Sequence, residues 1–280
     1  MREVSCESIK NCIKEMCIQA AHFISEDVRC ALENGLKAEG SELGRQILEE
    51  LLENAEIAGN EMIPICQDTG MAVVFIDIGQ EVHIIGGSLE DAVNSGVREG
   101  YTEGYLRKSV VSDPLERVNT GDNTPAVIHY NIVPGDVLKI TIAPKGFGSE
   151  NMSRIYMLKP ADGEEGVLNA ITETAALAGP NSCPPFIIGV GIGGDFEKAA
   201  LMAKHALTRK AGERSADAKA AELEEKALTR INKLGIGPAG LGGNVTALAV
   251  NIETYPTHIA GLPVAVNMCC HACRHMEAEL

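Results

Sequence analysis

Tryptophan is absent from this 280-residue chain and aromatic residues make up only 4% of it, so aliphatic side chains must fill the core. No apolar run approaches the roughly 18 residues that span a bilayer. The opening "MREVSCESIKNCIKEM" has no apolar signal core, and a cytoplasmic location is the expectation. Lys/Arg-rich blocks are missing as well. With a formal net charge of −15, the surface should repel nucleic acid and anionic membrane, which sets both aside as partners. Any basic pocket for an anionic substrate must be local. A second CxxC pair is also lacking: Cys270 and Cys273 stand alone, and "CIKEMC" is too widely spaced, so a zinc ribbon or finger is not expected. There is no internal repeat, low-complexity tract or Pro-rich linker.

What is present suits a globular chain. Apolar residues make up 45% and charged residues 22%. The reading is a single domain, 1–280, with a helical N-terminal part over about 1–60. Residues 3–24 and 42–58 carry apolar positions at helical spacing. "MAVVFIDIG" reads as a strand, with "EVHIIGG" placed to pair with it as a hairpin. A helix opens at Ser88 and is read through to Val111. "PAVIHYNIVPGDVLKITIAPKG" gives two strands joined by the Pro134-Gly135-Asp136 turn. A helix then ends at Gly179, "FIIGVGIGG" runs as a strand into a glycine loop, and a helix follows. A charged, Ala-rich helix covers 213–232, and two more strands precede "CCHACRHMEAEL". Without steady βαβ alternation, the fold class is α+β, with mixed, largely antiparallel sheets and flanking helices.

Nine cysteines, an odd number scattered along the chain, argue against a disulfide framework. Cys6, Cys12, Cys17 and Cys30 fall on or near helices and read as packing thiols. Cys66, Cys183 and Cys270 fall in loops at strand ends, where functional groups are presented. Thiolates converging from three distant loops would suit an iron–sulfur cluster with one iron left open as a Lewis acid. The "GVGIGG" run matches the glycines of a dinucleotide fingerprint. The region about 20 residues on is charged and helical, with no strand ending in an acid, so a tight strand-to-helix turn is the better reading. "APKGFGSENMSR" can bring backbone N–H groups close to a carboxylate, or form a surface turn. His258 falls in a loop between two strands, and His271, next to Cys270, could support that cysteine or start a helix. A non-catalytic scaffold that uses its cysteines only for packing is the plain alternative.

Several blocks, in order, carry a resemblance: "CQDTG", "YLRKSVVSDPLERVNTGDNTPAVIH", "KGFGSENMSR", "NSCPPFIIGVGIGG", "KLGIGPAGLGGNVTALAVNIETYPTHIAGLPVAVN" and "CHACRH". From about residue 10 to the C-terminus the chain resembles the alpha subunits of class I iron–sulfur fumarate hydratases, and the related L-tartrate dehydratase alpha subunits. The resemblance implies a [4Fe–4S] cluster held by Cys66, Cys183 and Cys270. It implies that Gln67 hydrogen-bonds the substrate, a small dicarboxylate, and that Asp68 joins the proton transfer with His258 as its partner. Arg107 would clamp a carboxylate, a task suited to its planar fork, and the backbone at Gly146 and Gly148 would support the other end. It further implies a separate beta subunit, in an α2β2 assembly. Because the chain keeps "KGFGSEN" and the "CHxxRH" pattern, malate and fumarate are the expected substrate pair, with tartrate or another hydroxy-diacid as the alternative.

Overall fold

The computed structural model describes residues 1–280. Along the chain run β1 (Arg2–Ser5), α1 (Cys6–His22), α2 (Glu26–Ala38), α3 (Glu42–Glu61), β2 (Met71–Gly79), β3 (Val82–Ile85) and α4 (Leu89–Glu103). There follow β4 (Val127–Val133), β5 (Leu138–Lys145), the one-turn α5 (Phe147–Glu150), β6 (Arg154–Leu158), α6 (Gly163–Ala178), β7 (Phe186–Gly194) and α7 (Phe196–Ala206). The chain closes with α8 (Ala218–Asn232), β8 (Ala247–Thr257), β9 (Leu262–Cys269) and β10 (Met276–Glu279). The fold is α+β, as the sequence pattern implies, and α1–α3 supply the helical N-terminal part. Contacts within the chain group it into two compact units: residues 1–25, 55–147 and 274–280 form one, and residues 26–54 and 148–273 the other.

The first unit holds a four-stranded sheet of order β10-β5-β2-β4, in which β2 runs parallel to β4 and antiparallel to β5. Alternation in β2 turns Ala72, Val74 and Ile76 toward Ile9 and Ile13 of α1 and Val93 and Val97 of α4. Each buried valine or isoleucine here contributes about 1.5–3 kcal/mol of burial free energy. Ser88 caps α4 as expected, its hydroxyl accepting from the Asp91 amide, but the helix ends at Glu103 rather than continuing to Val111. The expected β2–β3 hairpin does not form: β3 pairs in parallel with β1 instead. Likewise β4 and β5, though joined by the short turn, are not neighbours, because β2 lies between them.

The second unit holds a sheet of order β6-β9-β7-β8, with β7 parallel to β8 and antiparallel to β9. Its core gathers Ile171 of α6, Ile188 and Val190 of β7, Ile231 of α8, and Val264 and Val266 of β9. The "GVGIGG" glycines lie within β7, not in a loop. They are small because α7 presses its backbone on the strand: a Cβ on Gly189 or Gly191 would sit 2.1 Å from the carbonyl oxygen of Ala203 or Ala199. Helix packing accounts for Gly189 and Gly191, as one role of the glycines in a fingerprint does, while Gly193 has a φ of 94° and lies against the Tyr255 carbonyl of β8, so no phosphate is needed to explain them. Helix α2, over residues the periodicity left unassigned, is held in this unit by Glu39 just beyond its end. That buried carboxylate accepts from the amides of Ser41, Asn244 and Val245 at 2.8–2.9 Å.

Candidate active site

The loop that carries Cys66, Gln67 and Asp68 enters β2 through Thr69 and Gly70, and the first unit holds it from several sides. Ile65 donates its amide to the Ala21 carbonyl at the end of α1 (3.0 Å). The Tyr101 hydroxyl, buried in α4, lies 2.8 Å from the Thr69 carbonyl and 3.0 Å from that of Gly70. Burial pushes this phenol above its usual range, so it stays protonated and donates. Asn123 donates to the Gly70 carbonyl (3.2 Å) while its side-chain oxygen accepts the Ser109 and Val110 amides. Gly70 itself must be glycine: its φ is +80°, and a Cβ would lie 2.8 Å from the Lys145 backbone.

Asp68 is fixed at both ends. One carboxylate oxygen accepts the Gly70 amide (3.0 Å) and the other the Phe147 amide (2.8 Å). Its carbonyl accepts from the guanidinium of the buried Arg274 (2.8 Å). Gly146 makes room for this, since a Cβ there would stand 3.2 Å from the Asp68 carboxylate. One amide per oxygen leaves each with an unused lone pair. Thr69 donates its hydroxyl to the Arg107 carbonyl (3.2 Å), which ties the Arg107 segment to this loop. Arg107 and Gln67 are exposed and Cys66 is half-buried. The first unit therefore gathers Cys66, Gln67, Asp68, Arg107 and Gly146 around one end of its sheet.

Cys183 and Cys270 belong to the second unit. Cys183 leads into β7 with a left-handed backbone (φ 49°) and an exposed side chain. Cys269 closes β9 opposite Ile187, so Cys270 leaves the sheet at the end where Cys183 enters. His271 links the two loops: its amide donates to the Cys183 carbonyl (3.3 Å), and its ring Nδ1 lies 3.2 Å from the same oxygen. His271 thus starts no helix. Gly148 packs here too, a Cβ on it reaching 3.7 Å from the Asn181 carbonyl. Cys269 is buried and Cys270 half-buried. Ser182, fully buried beside Cys183, has no partner for its hydroxyl.

His258 stands elsewhere in that unit. It follows β8, and Thr257 pairs with Gly194 at the far end of β7. Eight strand steps of roughly 3.3 Å separate that end from the Cys183 end. The ring accepts the Ala260 amide at Nδ1 (3.2 Å), so a neutral ring carries its proton on Nε2. With Ile192, Thr254, Leu223 and Leu262 it lines a cavity of about 540 Å³.

None of the nine cysteines is in a disulfide. Burial pushes the Cys17 thiol up, which suits a packing role, whereas Cys30 is exposed and does not pack. No three His, Cys, Asp or Glu side chains converge as a single metal ion would require. A cubane asks less of its ligands, because each thiolate binds its own iron and they need not meet at a point. Two cysteines on loops at one sheet end, outside any disulfide, with a buried hydroxyl left unpartnered beside them, fit that demand. Tyr101, Asn123 and Arg274 were missed by sequence reasoning. Arg274 lies in "CHACRH", and Asn123 lies in "GDNTP", but neither carries a sign of its buried bonds.

The chain matches the family model described as fumarate hydratase (Fumerase) over residues 10–279. It is 43% identical over 274 residues, 95% of each chain, to a Methanocaldococcus jannaschii protein whose name gives it provisionally as an L(+)-tartrate dehydratase subunit alpha. It is 35% identical over 253 residues to the L(+)-tartrate dehydratase subunit alpha of Escherichia coli strain UTI89, covering 89% of this chain and 83% of that one. The K12 counterpart is 34% identical over the same length.

Proposed function

From the premise that the chain belongs to the fumarate hydratase (Fumerase) family, we propose that it is the alpha subunit of an iron–sulfur hydro-lyase interconverting (S)-malate and fumarate plus water. Cys66, Cys183 and Cys270 would hold a [4Fe–4S] cluster, and both units would serve one alpha-type hydro-lyase domain. The observation that carries the reading is Asp68: an oriented carboxylate with a free lone pair on each oxygen, two residues from a half-buried thiol.

When bound, the cluster supplies a Lewis-acidic iron that eases departure of hydroxide. Dehydration also needs a proton removed from the carbon next to the hydroxyl-bearing one, and a proton delivered to the leaving oxygen. Asp68 moves a proton at its carboxylate, which the Gly70 and Phe147 amides keep in place. The exposed Gln67 amide hydrogen-bonds the substrate, and the exposed Arg107 guanidinium takes a substrate carboxylate in a bidentate contact. The backbone at Gly146 and Gly148 supports the other carboxylate. His258, at the opposite end of its sheet, can reach a substrate held at Cys183 and Cys270 only from a second chain. A beta subunit completes the site, in an α2β2 assembly.

A second reading, dehydration of L(+)-tartrate, is favoured by the names of the relatives above. The two substrates differ by one hydroxyl, so a pocket built to bond that group should prefer tartrate strongly. Anaerobic reconstitution with iron and sulfide, then assays on malate, fumarate and L(+)-tartrate with and without the beta subunit, tests both. Iron near four per chain and turnover of malate and fumarate only with the partner is the expected result. Turnover of tartrate alone would replace the first reading with the second, and failure to take up iron would remove both.

A further inference from the structure

We propose that β4 is a self-association surface, through which two copies of this chain pair antiparallel about a two-fold axis at Tyr130. The inference is independent of the catalytic reading. β4 is an edge strand, with β2 on one side only. The Val133 carbonyl accepts the Gln80 amide on that side (2.9 Å). Backbone groups alternate along a strand, so those of Ile128, Tyr130 and Ile132 point outward. The open stretch has defined ends. At one end the Ala126 amide is taken by the Asn94 side chain (2.9 Å). At the other stands Pro134, which has no amide to offer.

The sequence of the strand is close to a palindrome: V-I-H-Y-N-I-V over Val127–Val133. Turned on Tyr130, it sets Val127 opposite Val133, Ile128 opposite Ile132, His129 opposite Asn131, and Tyr130 opposite itself. The outward-facing residues then fall opposite outward-facing residues, so each gives and takes a backbone hydrogen bond. A one-residue slip would lose this agreement. Tyr130 is 49% exposed and Ile132 62% exposed in the single chain, and the pairing would cover both with apolar neighbours.

Charge selects the same strand. A chain with net charge −15 repels its copies, and β4 holds no Asp, Glu, Lys or Arg. The other edges of the two four-stranded sheets are guarded: β10 is four residues long with Glu277 and Glu279, β6 begins with Arg154, and β8 carries Glu253 and Pro256. Short length, charge and proline are the usual devices that keep edges apart, and β4 has none of them.

The test is sedimentation equilibrium of the full chain. Wild type should be a dimer at micromolar concentration. Tyr130→Glu and Tyr130→Lys, each with an unchanged melting curve by circular dichroism, should each weaken self-association about tenfold or more, because like charges meet on the axis. An equimolar mixture of the two variants should regain dimer as a heterodimer. A monomeric wild type, variants that dimerise as tightly as wild type, or a mixture that stays monomeric would each overturn the proposal.

Discussion

The two units build their sheets to one pairing scheme and furnish them differently. In each, a central strand, β2 or β7, runs parallel to one neighbour, β4 or β8, and antiparallel to the other, β5 or β9. A fourth strand, β10 or β6, lies antiparallel beyond that. The candidate site residues sit at the same place in both: in the loop entering the central strand, bonded to the second residue after its antiparallel neighbour. In one unit Asp68 receives the Phe147 amide, and in the other the Cys183 carbonyl receives the His271 amide. The position is set by topology, since this is where two chain ends meet without ladder partners. The residue types are not: one unit offers a carboxylate, an amide side chain, guanidinium groups and a single thiol, Cys66, and the other offers two thiols, Cys183 and Cys270.

If that division of labour is right, the units should fail in different ways. Replacing Cys183 or Cys270 by Ser should abolish iron uptake after anaerobic reconstitution, read by iron content and visible absorption. Asp68→Asn should keep its iron and lose about 10²–10⁴-fold in turnover, the usual worth of a proton-transfer group. Loss of iron in the Asp68 variant would dissolve the distinction.

A smaller difference separates the glycines. Gly191→Ala puts a Cβ against the α7 backbone, where nothing flexible can yield, and should cost about 3 kcal/mol of stability by chemical denaturation. Gly146→Ala meets only side chains, the Asp68 carboxylate at 3.2 Å and the Arg274 guanidinium at 3.8 Å, so melting should hold while turnover falls about tenfold.

Smaller still are the acid responses. Burial alone would raise the Glu39 carboxyl, but the Ser41, Asn244 and Val245 amides hold it below its usual range. A carboxyl whose folded pKa is depressed adds stability above its unfolded pKa of about 4.5. That stability is lost as pH falls through the folded value. Glu39→Gln should therefore cost roughly 1–3 kcal/mol at neutral pH and flatten the acid limb of the stability curve. In the first unit, burial is outweighed for Asp122 by bonds from Arg98 and Thr124, which bring its pKa to about 2. Asp122→Asn should cost under about 1 kcal/mol, because the Arg98 partner is half exposed. Its effect should fade as pH falls from about 4 toward 2.

Local features were legible in the sequence. The bounds of β2, the Ser88 cap and the stop at Gly179 follow from alternation, a hydroxyl and a glycine, all within a few residues. Pairing was not legible, because it joins distant segments: β3 goes to β1, and β2 comes between β4 and β5. Nor was the end of the sheet at which a loop lies. "TYPTHIAG" and "NSCPP" both read as loops at strand ends, and only the parallel pairing of β7 and β8 shows that they are opposite ends. The "GVGIGG" run misleads for a related reason, since glycine records closeness without saying whether a ligand or a helix is close.

That closeness has a dynamic consequence. With the carbonyls of Ala199 and Ala203 seated where side chains would otherwise stand, β7 and α7 cannot roll or slide past each other. Their amides should be among the slowest in the chain to exchange with deuterium. The Cys183 loop hangs from this stiff pair, so its thermal wandering is confined to the few residues before Phe186. Gain or loss of a bound group at that thiol should register as altered exchange in the loop and leave the strand behind it silent.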